Sequence, residues 1–425
     1  MSRRLRQQGN KMTTKVVAPK LRFKEFQNDW NHRLLGAIYS FKNGVNAEKS
    51  QYGSGYKFIN VLDIINNDYI SYESIIGSVN ISDVEFSKNE IKYGDILFQR
   101  SSETREDVGQ SNVYLGVRPV TFGGFVIRGR AEVEIDPIFS HHLLKTSSVR
   151  DQITQRSGGA TRYNIGQESL SAIPICTPEL PEQTKIANFL TTVDAKISQL
   201  TKKYELLSSY KKGVMQKIFN QELRFKDDDR REFPEWELTT IGEISSKITA
   251  GGTPSTLKKE YWGGSIRWMN SGELNLKVVF EVENRITQAG LENSSTKLIP
   301  KNCVLIGLAG QGKTRGTVAM NLVELCTNQS IAAILPNPTI FNTRYLYQNL
   351  EARYDELRSL SAGDGGRGGL NLQIIKSMEI SLPCLDEQIK IANFLAAIDD
   401  KIMNVKAQLE AAKEYKQGLL QQMFV

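Results

Sequence analysis

The phrase EQTKIANFL, from Glu182 to Leu190, returns as EQIKIANFL, from Glu387 to Leu395. The match continues without a gap, so that 182–219 and 387–424 share landmarks throughout: Asp194 with Asp399, Lys196 with Lys401, Tyr210 with Tyr415, Gly213 with Gly418 and Phe219 with Phe424. A repeat returning after about 205 residues has room for one domain plus one long helix, twice. In the first copy, apolar residues from Ile186 and Leu190 through Val193 and Ile197 to Ile218 fall at alternating steps of four and three. The second copy does the same from Ile391 and Leu395 to Met423. That is a coiled-coil seam. A helix of about 38 residues, roughly 57 Å long, needs a partner for its stripe. The obvious partner is the other copy, and an antiparallel pair is easiest because a block of chain lies between them. Pro178 and Pro181 mark the start of the first helix, Pro383 and Asp386 that of the second. Lys211 and Lys416 interrupt both seams at the same step. They either fix the register or mark where the seam has reached solvent.

The segments ahead of the helices echo each other more faintly. LRFKEFQNDW from Leu21 resembles LRFKDDDRREFPEW from Leu223, and YKFINVLDI from Tyr56 resembles IRWMNSGEL from Ile266. GDILFQRS from Gly94 and NCVLIGLAG from Asn302 both read as short buried strands entering a polar, glycine-bearing loop. Near the end of each block comes a glycine-rich turn, SGGATRYN or SAGDGGRGGLN, then a strand reaching the proline before the helix. The expected architecture is a pair of α/β (α+β) blocks, each followed by a long helix, with the helices forming an antiparallel coiled coil of approximate twofold symmetry. Boundaries fall at a basic arm over 1–19, blocks over 20–180 and 221–384, and helices over 181–220 and 385–425. The helices have stayed alike while the blocks diverged, which suggests one frame carrying two different readers.

Composition narrows the function classes. With 40% hydrophobic and 24% charged residues, the chain is an ordinary globular sequence, and no apolar run reaches the eighteen or so residues of a membrane span. The basic start is not followed by the apolar core of a secretory signal, so a cytoplasmic protein is expected. Cys176, Cys303, Cys326 and Cys384 lie far apart, and with His32, His141 and His142 they form no zinc spacing, so they read as reduced core thiols. The net charge of +7 is concentrated in Ser2–Lys24, which holds eight Lys/Arg and no acid, leaving a balance of −1 for the remainder. Any contact with nucleic acid must therefore come from local clusters rather than a global field.

The doubled EQ(T/I)KIANFL helix starts, the LRF…W openings, GDILFQRS, and the PICTPELPEQ and ISLPCLDEQ junctions, in that order, resemble the specificity subunits of type I restriction-modification enzymes. The resemblance covers the chain from about Lys20 onward. It implies a subunit without catalysis of its own, whose two target-recognition domains each read half of a split double-stranded DNA site. It also implies that the paired helices dock two methyltransferase subunits, which bind S-adenosylmethionine and modify adenine, and that two motor-nuclease subunits, which use ATP and Mg, complete the complex. No cofactor is expected on this chain. In keeping with this there is no NPP(Y/F) tetrapeptide of adenine methyltransferases, and Asn337-Pro338-Thr339 is not one. The docking surface is expected around Ile186, Phe189 and Leu190 and around Ile391, Phe394 and Leu395.

Base reading favours Arg, Lys, Asn and Gln in loops, because Arg bonds guanine and Asn or Gln bonds adenine through two atoms at once. In the first block these are Arg100, Arg105, Arg156, Arg162 and Asn164, although Glu103, Glu106 and Asp107 could tie Arg100 and Arg105 into surface ion pairs. In the second block they are Gln311, Lys313, Arg315 and Arg367, in glycine-rich loops that let a backbone approach phosphate. Tyr163 could stack on a base or pack.

Two motifs point elsewhere. GLAGQGKT, from Gly307 to Thr314, satisfies the P-loop pattern, which opens the alternative of an ATPase. A working P-loop must open a helix, whereas the continuation RGTVAMNLVEL carries Gly316 and β-branched residues that oppose one. Asp83 with Glu90-Ile91-Lys92 resembles a nuclease carboxylate site, but the spacing is short and reads as surface charge. A coiled-coil adaptor that binds only protein is the other alternative.

Overall fold

The computed structural model describes residues 18–159, 161–310, 314–360 and 369–425. The chain divides into two compact units, one reaching to Thr201 and adding Gln408–Val425, the other spanning Lys202–Ala407. Both long helices are present, Leu180–Phe219 and Leu385–Met423. Each gives one end to each unit.

In the first unit an antiparallel sheet runs in the order Tyr39–Asn43, Val126–Ala131, Ile96–Gln99, Ser111–Val113. A smaller sheet pairs Tyr52–Ile59 with Ser78–Val79 and, in parallel, with Thr121–Phe122. All four residues of Ile96–Gln99 are buried, as GDILFQRS predicts. Trp30, Phe98, Ile127 and Phe139 share one core with Ile186 and Leu190 from the first helix and with Leu419, Met423 and Phe424 from the end of the second. The helix ends therefore pair antiparallel, and the backbone N–H of Leu21 donates to the carbonyl of Gln422 at 2.8 Å, tying the opening segment to the same place.

The second unit repeats this plan. Its main sheet runs Ile248–Ala250, Ile331–Ile334, Val304–Gly307, Val318–Asn321, extended by Val278–Val279. Val214 and Ile218 from the end of the first helix join Ile391, Leu395 and Ile398 from the start of the second over a core containing Val304, Ile306 and Tyr345. Here too the helices pair antiparallel. The helical stretch expected from Tyr345 to Leu360 is two helices, Thr343–Ala352 and Tyr354–Ser359, broken at Arg353.

The seam lysines are settled in favour of register. Lys211 Nζ lies 2.7 Å from Asp399 Oδ1 and 3.1 Å from Glu351 Oε2 in the second unit. Lys416 Nζ lies 2.5 Å from Asp194 Oδ1 in the first. Burial opposes the Lys211 charge, but attraction from Glu351 and Asp399 outweighs it and its pKa is raised. Each long helix thus supplies a lysine and an aspartate to reciprocal pairs, and a one-turn slip would strand all four charges.

The four cysteines are unpaired. Burial pushes the Cys303 thiol up to about 12 and that of Cys326 to about 11, so both are inert core thiols. No helix among the described residues is long and apolar enough to cross a membrane.

Candidate nucleic-acid interface

Each reader is locked to its helix by the repeated motifs themselves. Arg22 of the first LRF…W segment donates from Nε and Nη2 to both carboxylate oxygens of Glu182, at 2.7 Å each, and Trp30 Nε1 donates to the same group at 3.3 Å. In the second unit Arg224 donates to Glu387 at 3.3 and 2.8 Å, and Trp236 Nε1 donates at 3.0 Å. These hydrogen bonds raise the pKa of both guanidinium groups. Arg22 therefore belongs to a structural clamp and not to the free basic segment that the charge count through Lys24 suggests. The adjoining glutamines fasten a second point. Gln183 accepts from Asp136 N–H and donates to the Pro178 carbonyl, while Gln388 accepts from Asn342 N–H and donates to Pro383. Asp136 and Asn342 in turn cap the helices Pro137–Leu143 and Thr343–Ala352.

The five candidates of the first domain gather along one edge. The short strands Ser101–Ser102 and Tyr163–Asn164 pair there, carrying Arg100, Arg162 and Asn164 together. Asn164 Oδ1 accepts from Ser101 Oγ, and its Nδ2 donates to the Arg162 carbonyl at 3.0 Å. Arg105 Nε donates at 3.1 Å to the carbonyl of Thr154, in the last turn of the helix Ser147–Arg156 that ends on Arg156. The surface ion pairs left open as an alternative for Arg100 and Arg105 are not how these residues are held, since Arg100 Nη1 donates to the Gly124 carbonyl at 3.2 Å. Glu103 lies instead 3.9 Å from Arg162, an exposed contact of little strength. Tyr163 is half-buried.

Beside this edge opens a cleft of about 870 Å³. Its apolar wall is Leu62, Ile65 and Phe125, which are 60%, 44% and 65% exposed. Asn60 holds that wall in place by capping the helix Val61–Ile65 in a capping box with Asp63. Gln99 also lines the cleft, only 7% exposed. Its Nε2 donates to the Ser101 carbonyl at 2.9 Å, which fixes the amide orientation, and its Oε1 has no partner among the described residues. Gln99 lay inside the GDILFQRS strand and Phe125 beside Gly123-Gly124, but a strand end and a lone phenylalanine carry no signal of a cleft.

In the second domain Gln311, Lys313 and Arg367 lie outside the described residues. Arg315 is half-buried in the turn 314–316. The segment after the P-loop-like sequence does not open a helix: Gly316 takes φ +79°, and Val318–Asn321 pairs antiparallel with Val304–Gly307. Among the described residues no helix N-terminus is there to form a phosphate cradle of P-loop type. The nuclease-like residues are engaged elsewhere. Asp83 accepts from Tyr56 Oη, and Glu90 pairs with Lys92 at 3.0 Å. Among the described residues no group of three or more His, Cys, Asp or Glu is placed to hold a metal ion.

The family model for the type I restriction modification DNA specificity domain matches this chain twice, over residues 27–208 and 234–414. The chain belongs to that family. It is a type I specificity subunit with two target-recognition domains. The chain is 26% identical over 93% of its length, and over 93% of the relative, to the provisionally named type I restriction enzyme MjaX specificity subunit of Methanocaldococcus jannaschii. It is 29% identical to the EcoR124I/EcoR124II specificity subunit of Escherichia coli, over 61% of this chain and 63% of that one. The crystal structure of a type I restriction-modification S subunit from M. genitalium superposes with a TM-score of 0.59 at 16% identity, covering 96% of this chain and 99% of that chain, which shows a shared fold. Within that fold, Ile186, Leu190, Ile391 and Leu395 are core residues of their own units, each at most 2% exposed. Phe189 and Phe394 are half-buried against Phe23 and Phe225.

Proposed function

We propose that this specificity subunit is the non-catalytic member of its complex, and that each target-recognition domain reads one half of an asymmetric, two-part double-stranded DNA site. The observation that carries the reading is one frame built twice with unlike edges: the clamp, the strand order and the helix pairing repeat, while the sequence leaving the central strand is RSSETRED after Gln99 and LAGQGKTR after Gly307. Guanidinium and amide groups beside backbone turns suit phosphate positioning and base reading together.

Two methyltransferase subunits and two motor-nuclease subunits are the proposed partners, with S-adenosylmethionine, ATP and Mg bound by them. For docking, the helices turn Leu206, Tyr210 and Met403 outward in the second unit and Tyr415 in the first, all more than half exposed. Apolar groups so placed are suited to a protein contact, while Ile186, Phe189, Leu190, Ile391, Phe394 and Leu395 support the helices from beneath. Co-expression with the methyltransferase partner tests the assignment. The complex should retard random duplex DNA, and Leu206→Glu with Tyr210→Glu should break assembly without changing base preference. Lys313→Ala should weaken DNA binding while ATP titration of the isolated chain gives no signal. An ATP affinity abolished by Lys313→Ala would restore the ATPase alternative.

A further inference from the structure

The cleft beside the reading edge of the first domain holds more than an edge that only touches a duplex requires. Its buried wall carries Gln99, whose side-chain oxygen lacks a donor although the residue is 7% exposed. A buried acceptor left without a partner is costly, and its energy is recovered when a ligand brings a donor. Around it, Glu103 and Asp107, the latter already accepting from Thr104 and Gln110, add negative charge against the single cation of Arg162. Two carboxylates repel phosphate, so the ligand this lining fits is a neutral group that donates N–H. The opposite wall, Leu62, Ile65 and Phe125, offers an apolar surface on which a flat ring can lie.

From these observations, and resting on the DNA-reading function proposed above, we infer that the cleft takes one nucleobase turned out of the duplex, with Gln99 Oε1 accepting from its exocyclic amino group and Phe125 stacking on its face. Adenine, cytosine and guanine carry such an amino group, and thymine does not. The tip that presents Phe125 is secured to the floor: Arg100 N–H donates to the Phe125 carbonyl at 2.9 Å, and Val126 pairs with Gln99 across the sheet. Among the described residues the second domain shows no such device. Its strand register puts Gly307 in the place of Gln99 and Ser330 in that of Phe125. A Cβ on Gly307 would come within 2.3 Å of the Thr314 carbonyl oxygen, so backbone fills that space. The inference thus concerns one half-site only.

The test is selection from a randomised duplex library by the full chain in complex with its methyltransferase partner. Gln99→Leu should reduce the preference at one position of one half-site by about tenfold or more and leave the other half-site intact. Phe125→Ala, at an exposed site that does not disturb the core, should weaken binding to every selected duplex by about tenfold with the consensus unchanged. A Gln99→Leu protein with wild-type melting and wild-type consensus would overturn the inference, as would unchanged affinity in Phe125→Ala should Gln99→Leu fail to fold. If the wild-type complex itself selects no consensus, the DNA-reading function fails, which is a separate result.

Discussion

The two target-recognition domains differ most where nothing in the fold requires them to agree. Arg22, Trp30 and Glu182 are matched by Arg224, Trp236 and Glu387, and the main sheets have the same strand order. At the reading edge, Gln99 and Phe125 stand where the second domain has Gly307 and Ser330. A third contrast lies at the seam. Lys416 meets Asp194 with His142 and Tyr69 beside it, whereas Lys211 sits between Glu351 and Asp399. Residues that orient a reader on its helix are held fixed by a contact on each side. In the function proposed here, residues at the rim would answer to the DNA, which is how one frame could carry two specificities.

The comparison can be broken at the clamps first, where the largest effects are expected. Glu182→Ala leaves Arg22 without its carboxylate in a mostly covered position, and Glu387→Ala does the same to Arg224, so each should cost about 3 kcal/mol. Denaturant titration should register similar losses for both. A loss at only one would mean that the clamps are not equivalent. The seam lysines should behave unequally. Lys211→Met strands Asp399 and leaves Glu351 with Lys277 and Tyr347 Oη, a cost of about 3 kcal/mol. Lys416→Met leaves Asp194 still accepting from Tyr69 Oη at 2.9 Å, a cost of about 1 kcal/mol. Equal losses in urea melts would contradict this ranking.

Much of this frame was legible in the sequence because it is periodic. The four-three spacing marks both helices, and the buried runs around Ile96 and Val304 mark the central strands. Periodicity identifies an apolar stripe without saying what covers it, and that is why Ile186 and Leu190 read as a docking surface although their own domain covers them. The Arg22–Glu182 clamp joins residues 160 positions apart. Both ends lay in repeated motifs, yet no local rule pairs them. The cleft is less legible still, because it is assembled from four separate segments around Leu62, Gln99, Phe125 and Arg162.

A pH-dependent effect sharpens the contrast at the seam. Burial pushes the pKa of His142 down to about 3, with the Lys416 charge acting in the same direction, and His141 is also lowered well below its usual value. Asp194 opposes the shift and Lys145 adds to it. The folded state therefore stays neutral at these histidines while the unfolded chain takes up protons below pH 6.5. Their contribution is whole above that pH and declines as the pH falls below it, by up to about 1.4 kcal/mol per pH unit for each histidine. His142→Gln, which installs the residue found in the matching place at Gln348, should remove one such share between pH 6.5 and 4.5. An unchanged acid slope in urea melts would show that His142 is not buried as neutral imidazole.

The central claim is that two independent readers share one frame. Replacing residues 20–180 with the matching block of a related specificity subunit, and mapping the methylated sites of cells that carry the exchanged chain, tests it most directly. One half of the recognised sequence should change while the other half stays as it was. Alteration of both halves, or of neither, would contradict the account.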